Sequence, residues 1–220
     1  MKYLNRSEAG KVLAQQLKQY VNRDDVLVLA LPRGGVPVAF EIASALHAKL
    51  DVFIVRKLGV PGHVELAMGA IAMGNVVVLN EEIVKDLMIS PAAINAVMAK
   101  EQQELQRRTR IFRGDIDLPK IKDQIVILVD DGIATGATMR AAIKALQQLN
   151  PARIIAAVPV ADDSTCTQIE SLVDKLICPL RPTSLCAVGA WYEDFSQTED
   201  DEVHTLLNAA RKMNMKNFTP

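Results

Sequence analysis

The sequence predicts an α/β fold, a mainly parallel sheet flanked by helices. Three observations predict it. Short apolar runs at residues 26–31, 125–129 and 154–160 have the length and β-branched content of buried strands. Amphipathic stretches with helical spacing stand between such runs, and this alternation builds parallel βαβ units. The 220 residues hold no repeat and no low-complexity linker, which suits one domain.

In chain order, residues 7–20 read as an amphipathic helix with Ser7 as its cap. Residues 26–31 form a strand, and Pro32-Arg33-Gly34-Gly35-Val36 a tight loop that opens a helix running to His47. A second strand at 52–55 leads into a polar loop, residues 56–63, with glycine and proline. Residues 67–71 and 76–79 read as a hairpin around Met73, Gly74 and Asn75. A charged helix covers 91–109, with Glu104 and Arg108 spaced i, i+4. After the strand at 125–129, a helix carries Met139, Ala142, Ile143, Leu146 and Leu149 on one side. A strand at 154–160, a helix at 164–174, a short strand at 176–178 and a helix at 200–211 follow.

Half the residues are hydrophobic, enough for a full core, and the net charge is −1. General nucleic-acid binding asks for a basic excess, so no nucleic acid is expected among the partners. No run reaches the roughly eighteen apolar residues of a membrane span. Lys2, Arg6, Glu8 and Lys11 interrupt the first seventeen residues, unlike a signal peptide. The expectation is a soluble, cytoplasmic protein. Cys166, Cys178 and Cys186 form no Cys-x-x-Cys pair and read as small buried residues of a reducing compartment.

The chemistry concentrates at residues 125–138. A buried strand ends on two adjacent carboxylates, Asp130 and Asp131. A loop of small residues and hydroxyls follows, Gly132 to Thr138, and then a helix begins. Free backbone N–H groups and the helix dipole favour an anion at such a loop. Gly136, Ala134 and Ala137 let the backbone approach it, and Thr135 and Thr138 add hydroxyl donors. The carboxylates can accept from sugar hydroxyls, so the segment is built to hold a phosphorylated sugar. The spacing matches neither a Walker A loop nor a dinucleotide fingerprint. A plain βα turn of a doubly wound protein is the other reading.

This segment resembles the ribose-phosphate signature of the type I phosphoribosyltransferases: four apolar residues, an acidic pair, then Thr-Gly-x-Thr. Gly132 departs from it, since an aliphatic residue is more usual there. The resemblance implies the phosphoribosyltransferase type I fold, a Rossmann-like sheet with a small hood, the hood coming from residues 181–220 of a single domain spanning 1–220. It implies transfer of ribose 5-phosphate from phosphoribosyl pyrophosphate (PRPP) to a nitrogen base, with purines among the candidates. Mg²⁺ is the implied cofactor, and pyrophosphate is released. Family habit is a homodimer. Asp130 and Asp131 would hold ribose hydroxyls and favour the positive ring of the transition state.

Other positions take roles from the same resemblance. Arg33, Gly34 and Gly35 stand where the family holds pyrophosphate, a place that also suits an anion nest. Arg56, Lys57 and His63 resemble the cations of a mobile loop in orotate-type members; solvated cations are the plain alternative. Glu65 has a counterpart in the mobile loop of adenine-type members, which places it with Lys57 and the acidic pair among the expected catalytic residues. Ala134 stands where oxopurine-type members carry an aspartate, which argues against a hypoxanthine or guanine enzyme of the usual kind. Tyr192 and Phe195 would stack on the base, or else build a dimer contact or a satellite core. Arg107, Arg108, Arg110 and Arg113 read as a solvated helix end or a phosphate contact. A regulator that binds PRPP or a nucleotide without turnover is the alternative function.

Overall fold

The computed structural model describes residues 2–217 except Asp115 and Asp117, with side chains as far as Met213. Five parallel strands form the central sheet: β1 (Val26–Ala30), β2 (Lys49–Val52), β6 (Ile125–Val129), β7 (Arg153–Ala157) and β8 (Lys175–Ile177). Their order is β2-β1-β6-β7-β8. All five residues of β1 and of β6 are buried, as strands covered on both faces must be. Their side chains alternate between two cores. Val26, Val28, Ala30, Ile125, Ile127 and Val129 face the core that includes residues of α1 (Arg6–Gln16), α2 (Gly35–Leu46) and α7 (Asp200–Asn217). Leu27, Leu29, Val126 and Leu128 face α5 (Ala137–Gln148) and α6 (Asp163–Glu170).

A separate antiparallel sheet, β3-β4-β5, comprises Val55–Val60, His63–Ala72 and Val76–Leu79. Residues 56–63, expected as a loop, are mostly strand. β3 and β4 pair from Val55↔Ala72 to Val60↔His63, and only Pro61 and Gly62 turn. Gly62 has φ 81°, which glycine adopts without a Cβ penalty. The ladder shifts register on both sides of Gly59, a bulge that let polar and apolar residues fall out of strict alternation. The second strand of the main sheet lies earlier than expected, pairing Leu27↔Lys49 through Ala30↔Val52. The hairpin around Gly74 and Asn75 forms as expected, both at positive φ.

Smaller differences have local causes. Asn5, not Ser7, caps α1 by accepting from Glu8 N; the Ser7 hydroxyl donates to Glu41. Asn80 caps an unforeseen short helix, α3 (Glu81–Asp86). Helix α4 (Pro91–Arg113) runs past residue 109 to Gly114. Its Arg113 is no solvated helix end: it makes a bidentate, buried pair with Asp51 of β2 at 2.9 and 2.8 Å. The region assigned to a hood divides. Val188 and Tyr192 lie against Gly132 and Asp131 of the loop after β6, whereas α7 packs on α2 and β2; residues 218–220 lie outside the described residues.

Candidate active site

Strand order places a crevice before any side chain is considered. The chain leaves β1 toward one edge of the sheet and builds β6, β7 and β8 toward the other. The carboxyl ends of β1 and β6 are therefore the switch point, where α/β sheets bind ligands. The loops after these strands are the two glycine-bearing motifs. Leu31 N bonds Val129 O at 2.8 Å, which seats the first loop against the second.

Gly34 and Gly35 make that seating possible. A Cβ on Gly34 would stand 2.0 Å from Asp131 Oδ2, and one on Gly35 2.7 Å from Val129 O and 3.0 Å from Asp130 Cα. The loop backbone lies directly on the acidic pair. Arg33 points to the start of α7, donating to Asp200 Oδ1 at 3.3 Å with Glu199 at 4.0 Å.

Asp130 and Asp131 are partly buried at the end of β6. Asp130 Oδ1 accepts from Asp131 N at 2.9 Å. Removal from water, then the neighbouring Asp131 charge, pushes the Asp130 carboxyl well above its usual range. Asp131 is also raised by burial, although Arg6 pulls it down. Arg6 Nε donates to Asp131 Oδ2 at 2.8 Å. The acidic pair is thus a strand-end site whose charge opposes its surroundings, a pattern common where ligands bind.

The loop to α5 is shaped by close approaches. A Cβ on Gly132 would lie 2.4 Å from Val188 Cγ1, so an aliphatic side chain of the C-terminal segment fills the space that an aliphatic residue at 132 would take. Gly136 sits at φ 72° and caps α5 without a side chain. Ile133 N bonds Val160 O at 2.9 Å, and Arg140 Nη1 bonds Thr135 O at 3.0 Å. Ala134, Thr135 and Thr138 stay exposed at the N-terminus of a twelve-residue helix.

A cavity of about 580 Å³ opens beside this loop, between Pro32, Thr135, Ala137 and Thr138 on one side and Arg56, Lys57, Glu65 and α4 on the other. Arg56 is held by Glu101 at 2.8 and 2.7 Å through Nε and Nη2. Lys57 Nζ reaches the Glu65 carbonyl at 3.3 Å and its carboxylate at 3.4 Å. Lys100 and Arg108 of α4 also line the cavity. Four cations against two carboxylates suit an anionic guest.

The structure therefore gathers most of the residues singled out in the sequence. The loop of Arg33, Gly34 and Gly35 meets Asp130 and Asp131; Arg56, Lys57 and Glu65 face Thr135, Ala137 and Thr138. His63 is exposed beside the hairpin turn and does not line the cavity. Tyr192 is not a stacking surface: it is 3 % exposed, with Tyr3 and Phe195 rings 5.6 and 4.9 Å away. Its hydroxyl donates to Asp131 O at 2.6 Å, so it braces the acidic pair from behind. Phe195 lies under the Arg6 guanidinium, 3.9 Å from ring centre to Cζ. Sequence reading missed Arg6, Lys100 and Glu101. Neither Glu101 nor Arg6 had a local signal, since the partner of each stands on another element.

The model of the family described as "Phosphoribosyl transferase domain" matches residues 3–184. The chain belongs to this phosphoribosyltransferase family. Two Mycobacterium tuberculosis proteins, from strains CDC 1551 and H37Rv, are 44% identical over 208 residues; their names place them among the phosphoribosyl transferases and state no acceptor. The match covers 94% of this chain and 47% of each relative, so the chain spans about half the length of these relatives. A "Uracil phosphoribosyltransferase" of Metallosphaera sedula is 31% identical over 149 residues, covering 63% of this chain and 68% of its own. The crystal structure of TT1426 from Thermus thermophilus superposes with a TM-score of 0.83 at 35% identity, covering 94% of this chain and 98% of that one. The mainly parallel α/β phosphoribosyltransferase fold follows from both comparisons. Among the described residues no helix is long and apolar enough to cross a membrane.

Proposed function

We propose that this phosphoribosyltransferase transfers ribose 5-phosphate from PRPP to the nitrogen of a base and releases pyrophosphate. The observation that carries the reading is the contact of the Arg33-Gly34-Gly35 loop with Asp130 and Asp131, beside a cation-lined cavity that opens on Thr135 and Thr138. The 5-phosphate would take the N–H groups and hydroxyls at the start of α5. Asp130 and Asp131 would accept from the ribose hydroxyls and favour the positive ring of the transition state. Lys57, with Arg33, would meet the leaving pyrophosphate. Arg56, held by Glu101, would keep a fixed charge on the same wall.

Among the described residues no group of three or more His, Cys, Asp or Glu side chains could hold a metal. The oxygens of Asp130 and Asp131 beside the ribose position suit a hard cation, and an Mg²⁺ that arrives on the oxygens of PRPP and keeps waters would need few ligands from the chain. When bound it would offset pyrophosphate charge, while the chain's own cations orient the group. We place Tyr192 outside the base site. Phe195 is proposed as a wall beside Arg6 rather than a free stacking face. Homodimerisation belongs to the same proposal and rests on family resemblance; a cytoplasmic setting belongs to it too and rests on the composition and cysteine usage of the sequence.

The test is pyrophosphate release from PRPP and Mg²⁺ with a panel of purines and pyrimidines, uracil included because one relative bears that name. Release that depends on one base supports the reading and names the acceptor. Tight PRPP binding with no release for any base would replace it with a binding-only regulator.

A further inference from the structure

We infer that Arg6 is a positioning residue of the phosphoribosyl site, holding the Asp131 carboxylate in place for the sugar and tying it to the C-terminal segment. The inference rests on the proposed function and deepens it. Arg6 begins α1, far from the signature in sequence, yet Nε lies 2.8 Å from Asp131 Oδ2. Nη1 donates to Ser196 O at 2.7 Å, and the guanidinium covers the Phe195 ring. Its side chain is 11% exposed and that of Asp131 16%. A planar cation fixed on three sides is not a swinging surface arginine.

Each partner is itself fixed. Tyr3 N donates to Trp191 O, Glu193 N to Tyr3 O and Asp194 N to Leu4 O, so residues 3–4 carry the C-terminal segment alongside α1. The place where a Gly34 Cβ would stand lies 3.3 Å from Arg6 Nε. Arg6 therefore touches the acidic pair and borders the Arg33-Gly34-Gly35 loop, between ribose and pyrophosphate positions.

Chemistry explains why a cation is needed there. Two adjacent carboxylates, partly removed from water, repel one another and favour a shared proton. Burial raises both, and Arg6 lowers both; the hydroxyl of Tyr192 and exposed Asp194 are the other titratable groups nearby. The bond uses Oδ2, and a carboxylate has about four acceptor sites on its two oxygens, so capacity remains for a sugar hydroxyl. Arg6 thus keeps Asp131 ready without filling it.

The test measures PRPP, ribose 5-phosphate and inorganic pyrophosphate binding by calorimetry to wild type, Arg6→Gln, Arg6→Lys and Phe195→Leu. Arg6→Gln should weaken PRPP and ribose 5-phosphate at least tenfold and pyrophosphate less than threefold. Arg6→Lys should recover most of the ribose 5-phosphate affinity, because the charge on Asp131 returns. If Arg6→Gln does not fold, Phe195→Leu decides: it keeps the charge, loses the ring, and should weaken ribose 5-phosphate but not pyrophosphate. Ribose 5-phosphate binding within twofold of wild type in the decisive variant, or equal losses for all three ligands, overturns the inference alone. Wild type that binds none of the three overturns the proposed function, and the role of Arg6 with it.

Discussion

Gly34 and Asp131 are so close that no Cβ fits between them: Oδ2 would stand 2.0 Å and Cγ 2.6 Å from it. A carboxylate can usually turn aside, but Arg6 holds this one. Gly34→Ala is therefore expected to break the fit, prising the carboxylate off Arg6 or lifting the loop from it. Overpacking of this kind costs about 1–3 kcal/mol. PRPP affinity should fall at least tenfold while a native melting transition persists. Wild-type affinity in Gly34→Ala would show that the loop and the acidic pair do not share a ligand.

A second expectation concerns Arg33. Its guanidinium faces Asp200 at 3.3 Å and Glu199 at 4.0 Å; both carboxylates are exposed and the Arg33 side chain is half-buried. Pyrophosphate would have to draw it away. Exposed pairs are worth roughly 0–1 kcal/mol, so the effect is modest. Glu199→Gln with Asp200→Asn should tighten inorganic pyrophosphate by up to about fivefold, the limit set by that energy. The gain should shrink as salt rises, because exposed charges are screened. Weaker binding in the double variant would remove Arg33 from the pyrophosphate path.

The raised carboxyl of Asp130 sets a pH dependence with a definite sign. Its folded state holds the proton more tightly than the unfolded chain does. Ionised Asp130 therefore costs stability above the folded value, and the cost vanishes as pH falls below the ordinary carboxylate range. Asp130→Asn should melt higher than wild type at pH 7, and the difference should close toward about pH 4 or below, where the unfolded carboxylate also protonates. Ribose 5-phosphate binding should be lost in the same variant. A lower melting temperature at pH 7 would mean that the charge is stabilised by its surroundings.

Much of this was legible in the sequence because it is local. The buried strands, the acidic pair and the loop to α5 each sit in one continuous stretch, where period and turn residues carry the signal. Residues 56–63 misled because Gly59, Pro61 and Gly62 are loop residues by composition, whereas Lys57↔Ala70 and its neighbours make the segment a strand. Pairing across a bulge leaves no period to read. Arg6 was invisible because its partner lies 125 residues away, and only the folded sheet brings the two together. Tyr192 was misplaced because an aromatic near a site looks the same in sequence whether it faces the ligand or braces the backbone.

The hairpin bears most directly on turnover. Lys57 stands on β3, and its ammonium reaches across to Glu65 on β4, whose side chain is 96% exposed. That contact is weak at 3.4 Å in water, so the cation is available to an anion entering the cavity. PRPP already carries charge in the ground state, but charge on pyrophosphate grows as the bond to ribose breaks. Only interactions that strengthen in the transition state raise the rate of the chemical step. Lys57→Ala should lower kcat at least tenfold, about 1.4 kcal/mol, with a smaller change in PRPP affinity. Glu65→Gln should leave kcat within about threefold, since it removes only a weak competitor for the ammonium. Single-turnover rates and PRPP calorimetry on both variants separate the two effects. Equal losses in rate and affinity for Lys57→Ala would make Lys57 a ground-state contact, and the acceleration would then have to come from Arg33 and the acidic pair.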